Sequence, residues 1–128
     1  MLVMHCRLTV NYSGIGTFNS DDFHDSEYRP YTDLYMPEDP SQIEPGFWLY
    51  TRNNSKHFEN LRWNNTNDIV ASKHFQGYRS TKLVIHGFLE MPSPGRWMHK
   101  LKDRILSYGD FNVIIVDWSN GNLFPYGQ

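Results

Sequence analysis

Cysteine is almost missing from this chain. Cys6 stands alone, so no disulfide can close within the sequence, and a lone cysteine gives no reason to make it a nucleophile. Long apolar runs are missing too, and none approaches the roughly 18 residues needed to cross a membrane. The opening Met1-Leu2-Val3-Met4-His5-Cys6-Arg7 holds too short an apolar core for a secretory signal; a secreted protein would have its natural start upstream. Neither a basic run interleaved with aromatics nor a strong positive balance is present, the net charge being −2, and nucleic acid is not expected as a partner. The six histidines, His5, His24, His57, His74, His86 and His99, have no zinc spacing. Asp21-Asp22-Phe23-His24-Asp25 reads as a solvated acidic loop rather than a metal site. No phosphate-cradling glycine loop, internal repeat or low-complexity tract occurs. No metal or cofactor is therefore expected.

What remains is a globular composition, 39% hydrophobic and 20% charged, in 128 residues, enough for one domain or part of one. Charge is uneven: residues 1–45 hold eight Asp/Glu against two Lys/Arg, and the rest holds ten Lys/Arg against six Asp/Glu. Residues 1–42 are rich in Asp, Pro and Tyr, with Pro30, Pro37 and Pro40 interrupting any long element, and read as irregular or short-strand structure. Gly46-Phe47-Trp48-Leu49-Tyr50-Thr51-Arg52 is aromatic and β-prone. The polar stretch from Asn53 to Gly77 reads as a long connection with at most a helical turn. Asn11-Tyr12-Ser13, Asn53-Asn54-Ser55 and Asn64-Asn65-Thr66 are glycosylation triplets, which fit a secreted surface.

From Ser80 onward the pattern tightens. Leu83-Val84-Ile85 and Val113-Ile114-Ile115-Val116 are continuous apolar runs, the mark of strands with both faces covered. Between them Ser93-Pro94 offers an N-cap and first-turn proline, Trp97, Met98, Leu101, Ile105 and Tyr108 recur at helical spacing, and Gly109 supplies a stop. Strand, helix of about four turns and strand make a right-handed βαβ crossover with parallel neighbours. The class is α/β. Such sheets place their chemistry at the carboxyl ends of the strands, which directs attention to the turns after Ile85 and Val116.

The first of those turns is His86-Gly87-Phe88, and the second begins Asp117-Trp118. With Val10-Asn11-Tyr12, Gly16-Thr17-Phe18, Arg29-Pro30, Phe47-Trp48-Leu49-Tyr50-Thr51, Trp97 and Tyr126-Gly127-Gln128, they make the chain resemble the pancreatic-type animal lipases along nearly its whole length. His86-Gly87-Phe88 and Val116-Asp117-Trp118, at this separation, are the most specific pieces. The resemblance implies the N-terminal part of an α/β-hydrolase fold with a mostly parallel sheet, incomplete in this chain, with 1–42 as an irregular segment and 46–128 as the first strands and crossover helix. It implies hydrolysis of carboxylic esters of lipids, triacylglycerol or phospholipid, by a Ser-Asp-His triad, in an extracellular protein acting on a lipid ester or lipid–water interface.

Among site residues, the resemblance assigns the Phe88 backbone N–H to the oxyanion hole, Gly87 to the sharp turn beside substrate, and Tyr126 to the active-site cleft. Fixed donors of this kind act on the charge that develops at the carbonyl oxygen. His86 is not the catalytic histidine, which lies far downstream in this family; Asp117 reads as a strand-end carboxylate and Trp118 as a packing residue. Vertebrate relatives bracket the N-terminal tyrosine with a cysteine pair where this chain has Asn11 and Thr17, and cysteines that often tie helix to following strand are also absent. This points to an invertebrate branch.

No serine here has glycine both two before and two after it: Ser93, Ser107 and Ser119 have only the following one. The 128-residue chain by itself is therefore expected to lack esterase activity. Two readings follow: the N-terminal portion of a secreted lipase or phospholipase A1, or a non-catalytic lipase-like protein that binds lipid or another protein. An unfinished parallel sheet would expose an apolar edge, so the isolated chain is expected to aggregate.

Overall fold

The computed structural model describes residues 8–22, 36–37, 39–63 and 65–122; Cys6, His24, Arg29, Asn64 and Tyr126 lie outside them. The chain divides into two compact units, one of residues 1–42 with 124–128 and one of residues 43–123.

In the first unit, β1 (Thr9–Tyr12) and β2 (Gly16–Asn19) form an antiparallel hairpin in which Tyr12 faces Gly16. Gly14 has φ +78° and Gly16 φ +143°, backbone states that side chains disfavour, which is why glycine serves at this reversal. The Tyr12 and Phe18 rings lie 6.1 Å apart, and the Tyr12 hydroxyl donates to the Pro37 carbonyl.

The second unit is built on a four-stranded sheet of order β4-β3-β6-β5: β3 (Gly46–Tyr50), β4 (Glu59–Arg62), β5 (Thr81–Ile85) and β6 (Asn112–Asp117). Helix α1 (Pro40–Ile43) precedes β3 in the chain, and β5 and β6 pair in parallel, joined by helix α3 (Trp97–Tyr108) as expected for the crossover. β3 pairs antiparallel with both β6 and β4, so the sheet is mixed, and the mostly parallel expectation holds only for its βαβ half. A short connection reverses β3 into β4, which forces antiparallel pairing. β4 itself was not foreseen: Leu61 is the only apolar residue in Glu59-Asn60-Leu61-Arg62, too little to show a period of two. Between β4 and β5 lies helix α2 (Asn67–Ala71), tied to β4 by a bidentate pair between Arg62 and Asp68 at 2.8 and 2.9 Å. Arg62 pulls the Asp68 carboxyl down to about 2.

Alternation along the strands sorts the core into two layers. On the α3 face, Tyr50, Val84, Val113 and Ile115 pack with Met98 and Leu106. On the other, Leu49, Leu61, Ile114 and Val116 pack with Phe47 and Phe75. β6 is buried through its apolar run, but on β5 only Val84 is; Leu83 and Ile85 are 58% and 57% exposed. Both faces of β5 were expected to be covered, and among the described residues one is open.

Helix α3 corrects two details. It begins at Trp97, after Arg96, rather than at Ser93-Pro94, because Gly95 takes φ +81° and breaks any helix started there. Its buried stripe is Met98, Lys102 and Leu106, while Trp97, Leu101 and Tyr108 are exposed. Lys102 disguises this stripe: its stem is buried and its ammonium sits 4.5 Å above the Tyr50 ring, donating to the Ser55 carbonyl at 2.6 Å. Gly109 ends the helix with φ −156°, so a left-handed turn is not what selects glycine there. A Cβ would lie 2.5 Å from the Phe111 ring, and that close approach is the reason.

Candidate active site

Parallel pairing of Ile85 with Val116 brings the carboxyl ends of β5 and β6 side by side, so residues 86–90 and 117–122 form one edge of the sheet. His86, at 3% exposure, is the link between them. Its Nε2 accepts the Trp118 backbone N–H at 3.1 Å, which leaves the proton on Nδ1; Nδ1 then donates to the Gly87 carbonyl at 3.0 Å. The Trp118 indole N–H donates to the His86 carbonyl at 2.9 Å, and the two rings stack at 5.4 Å and 11°. His86 and Trp118 are thus a structural pair, in line with the roles read from the sequence.

Ser119, Asp117 and His86 lie in a row, but in an order unsuited to nucleophilic catalysis. The Ser119 hydroxyl donates to Asp117 Oδ1 at 2.5 Å, and that carboxylate oxygen is 3.4 Å from His86 Nε2. The acid stands between serine and imidazole. A nucleophilic serine needs the base itself within reach, so this serine is an anchor for the 3-10 turn Ser119–Gly121.

The His-Gly-Phe turn is held from both sides. Asn122 is buried to 1% and its amide donates to the Gly87 carbonyl at 3.2 Å and the Glu90 carbonyl at 2.5 Å, while the Asn122 carbonyl accepts the Leu89 N–H at 3.2 Å. On the solvent side the Glu90 carboxylate accepts the Gly87 N–H at 2.9 Å and the Trp97 indole N–H at 3.2 Å. The Gly87 N–H is the main cause that holds the Glu90 carboxyl below the usual glutamate range; the Trp97 indole N–H, with His86 and Arg96 nearby, adds to it, against a smaller opposing effect of burial. Phe88 is half-buried at the crest of this turn. The left-handed step falls on Leu89, φ +59°, rather than on Gly87, whose own Cβ would meet nothing closer than Glu90 Oε2 at 3.5 Å. Non-glycine residues in that region cluster at sites where surrounding structure over-determines them, and Asn122 is what does so here.

Of the residues singled out from the sequence, His86, Gly87, Phe88, Asp117 and Trp118 come together; Tyr126 falls outside the described residues. Asn122 and Glu90 were missed. Glu90 had a faint signal, an acid three residues after a turn glycine, and Asn122 had only its place in Asn120-Gly121-Asn122.

The family model described as Lipase matches residues 9–128. The chain belongs to the lipase family. Among curated relatives, inactive pancreatic lipase-related protein 1 is similar at 30% identity in Mus musculus and 31% in Homo sapiens. Pancreatic lipase-related protein 2 of Myocastor coypus is similar at 32%. Each match covers 93% of this chain and 24% or 25% of the relative. The chain thus spans about a quarter of the length of the relatives it matches. The lipase family has the α/β-hydrolase fold, and the mixed sheet with its βαβ unit agrees with it. Among the described residues no helix is long and apolar enough to cross a membrane.

Proposed function

We propose that this chain is the segment of an extracellular lipid ester hydrolase that supplies one oxyanion donor, the backbone N–H of Phe88, in triacylglycerol lipase or phospholipase A1 chemistry. What carries the reading is the His86-Gly87-Phe88 turn, fixed by Asn122 and Glu90 at the carboxyl end of β5 in a chain of the lipase family. A donor fixed before substrate arrives need not reorganise as negative charge grows on the ester oxygen, and removal of one such donor typically slows turnover by about 10²–10³. Gly87 and Tyr126 border the substrate in this reading, and the acyl group lies against the Phe88 ring. The domain assignment goes with it: residues 1–42 and 46–128 are parts of one lipase domain, and the nucleophile, acid and base lie in other sequence. No cofactor enters the reaction.

A second reading has its own support, since two of the relatives are named inactive lipase-related proteins. Under it the chain belongs to a lipase-like protein that binds lipid or another protein without turnover. The two separate on emulsified triacylglycerol and phospholipid. The longest polypeptide encoded with this segment is expected to hydrolyse one of them and to lose that activity to a serine-directed phosphonate, while the 128-residue chain alone turns over neither. Lipid binding without phosphonate-sensitive hydrolysis in the longest polypeptide would move the assignment to the second reading.

A further inference from the structure

Beside α3 the chain forms a half-open trough of about 380 Å³ whose lining includes none of residues 86–90 or 117–122. Small-molecule pockets begin at roughly 300 Å³. Its walls are apolar and rigid. Trp48 and Phe58 stack at 4.6 Å and 13°, Tyr50 meets Phe58 edge-on at 6.1 Å, and Pro92 closes the far side.

Each wall is pinned from behind. Lys102 holds the Ser55 carbonyl, Arg52 donates to the Leu106 carbonyl at 2.8 Å, and the Asn54 amide donates to the Leu49 carbonyl at 2.9 Å, so the β3–β4 connection is fastened to both helix and sheet. Opposite it, the His99 ring is bonded to the Pro92 carbonyl at 3.1 Å. The aromatic pair is therefore presented by a fixed frame, which lowers the ordering cost of filling the trough.

Charge at the trough is of one sign. Lys56 and His57 stand on its exposed rim, and no carboxylate lines it among the described residues. Lys56 has no ion-pair partner among those residues, whereas the other ammonium nearby, Lys102, is already taken by Ser55 and by Asp103 at 2.6 Å. Burial and, after it, the negative charge of Asp103 push the Tyr50 phenol up, so Tyr50 stays a neutral wall. An apolar slot with an unpaired cation at its mouth complements a molecule with a flexible apolar tail and one negative end.

We propose that this trough is a binding site for a single amphiphilic carboxylate, its aliphatic chain against Trp48, Phe58 and Pro92 and its carboxylate at Lys56. The site is independent of ester hydrolysis and requires none of the residues placed at the Phe88 turn.

The test uses the longest polypeptide encoded with this segment and a photoreactive diazirine derivative of a long-chain carboxylate, with labelled peptides mapped by mass spectrometry. Labelling is expected in the peptides holding residues 48–58 and 92–99. Dodecanoate below its micelle concentration should compete it away, and dodecanol should compete less well. Lys56→Gln, on an exposed side chain that the fold does not use, should weaken competition by dodecanoate roughly threefold to tenfold and leave dodecanol unchanged. Phe58→Ala should weaken both. Labelling of the open β5 face at Leu83 and Ile85 instead, equal competition by acid and alcohol, or indifference of dodecanoate to Lys56→Gln would each overturn the proposal.

Discussion

Trp118 reaches His86 twice, its indole N–H donating to the His86 carbonyl at 2.9 Å and its backbone N–H to the His86 ring at 3.1 Å. The two residues end neighbouring parallel strands, so the pair stitches together the carboxyl edge on which the Phe88 turn is mounted. Trp118→Phe retains the stacked ring and deletes the indole donor. The cost of leaving that largely buried carbonyl unpaired is about 1–3 kcal/mol. Urea denaturation of the longest polypeptide encoded with this segment should show it as a lower midpoint with unchanged slope; an unchanged midpoint would mean that water satisfies the carbonyl and the stitch is dispensable.

Asn122 makes a sharper case, because its one amide group serves two carbonyls of the turn. Asn122→Asp keeps the shape but turns a donor toward those carbonyls into an acceptor. We expect amide exchange at Leu89 and Glu90 to rise by at least tenfold while Val113–Val116 in the middle of β6 keep their protection. In a catalytically competent polypeptide the same change should lower kcat far more than it raises KM, since the donor acts on charge that appears only in the transition state. Equal loss of protection in β6 would show instead that Asn122 supports the whole sheet.

Glu90 adds a pH dependence with a defined sign. Its carboxyl is held down chiefly by the Gly87 N–H, so the ionised form is favoured in the folded chain. A depressed carboxyl contributes order that is present above its unfolded value, about 4.3, and is lost as pH falls through the lower folded value. The Gly87 amide resonance should therefore titrate with a midpoint below about 4.3, and the titration should vanish in Glu90→Gln. A midpoint at or above that value would break the link between the two groups.

How much of this was legible in the sequence follows from the range of each interaction. The crossover could be read because Val113 to Val116 is apolar without interruption and the helix has a period of its own. β4 could not, because its pairing with β3 rests on backbone bonds and one leucine. The phase of α3 was misread because a buried lysine occupies its inner stripe, and lysine counts as polar in any periodicity. The turn itself was visible as three letters, but its clamp was not: Asn122 acts on residues 32 to 35 positions away, and nothing local marks an asparagine for that.

Gly109 shows how a glycine can be placed correctly for the wrong reason. A helix stop at this position suggests a left-handed residue, yet its φ of −156° is open to any amino acid. Backbone conformation alone would make Gly109→Ala neutral or slightly stabilising, since alanine narrows the unfolded ensemble. Packing predicts the opposite: the new methyl would lie 2.5 Å from Phe111 Cε2 and 2.8 Å from its Cζ. Phe111 is half-buried against the α3-face core and its ring also carries the Lys82 ammonium at 5.1 Å, so it cannot swing aside without cost. Overpacking of this kind costs about 1–3 kcal/mol. Thermal unfolding should place Gly109→Ala below the parent, and Gly109→Ala with Phe111→Leu should recover part of the difference; a double variant no better than the single one would assign the loss to the backbone after all.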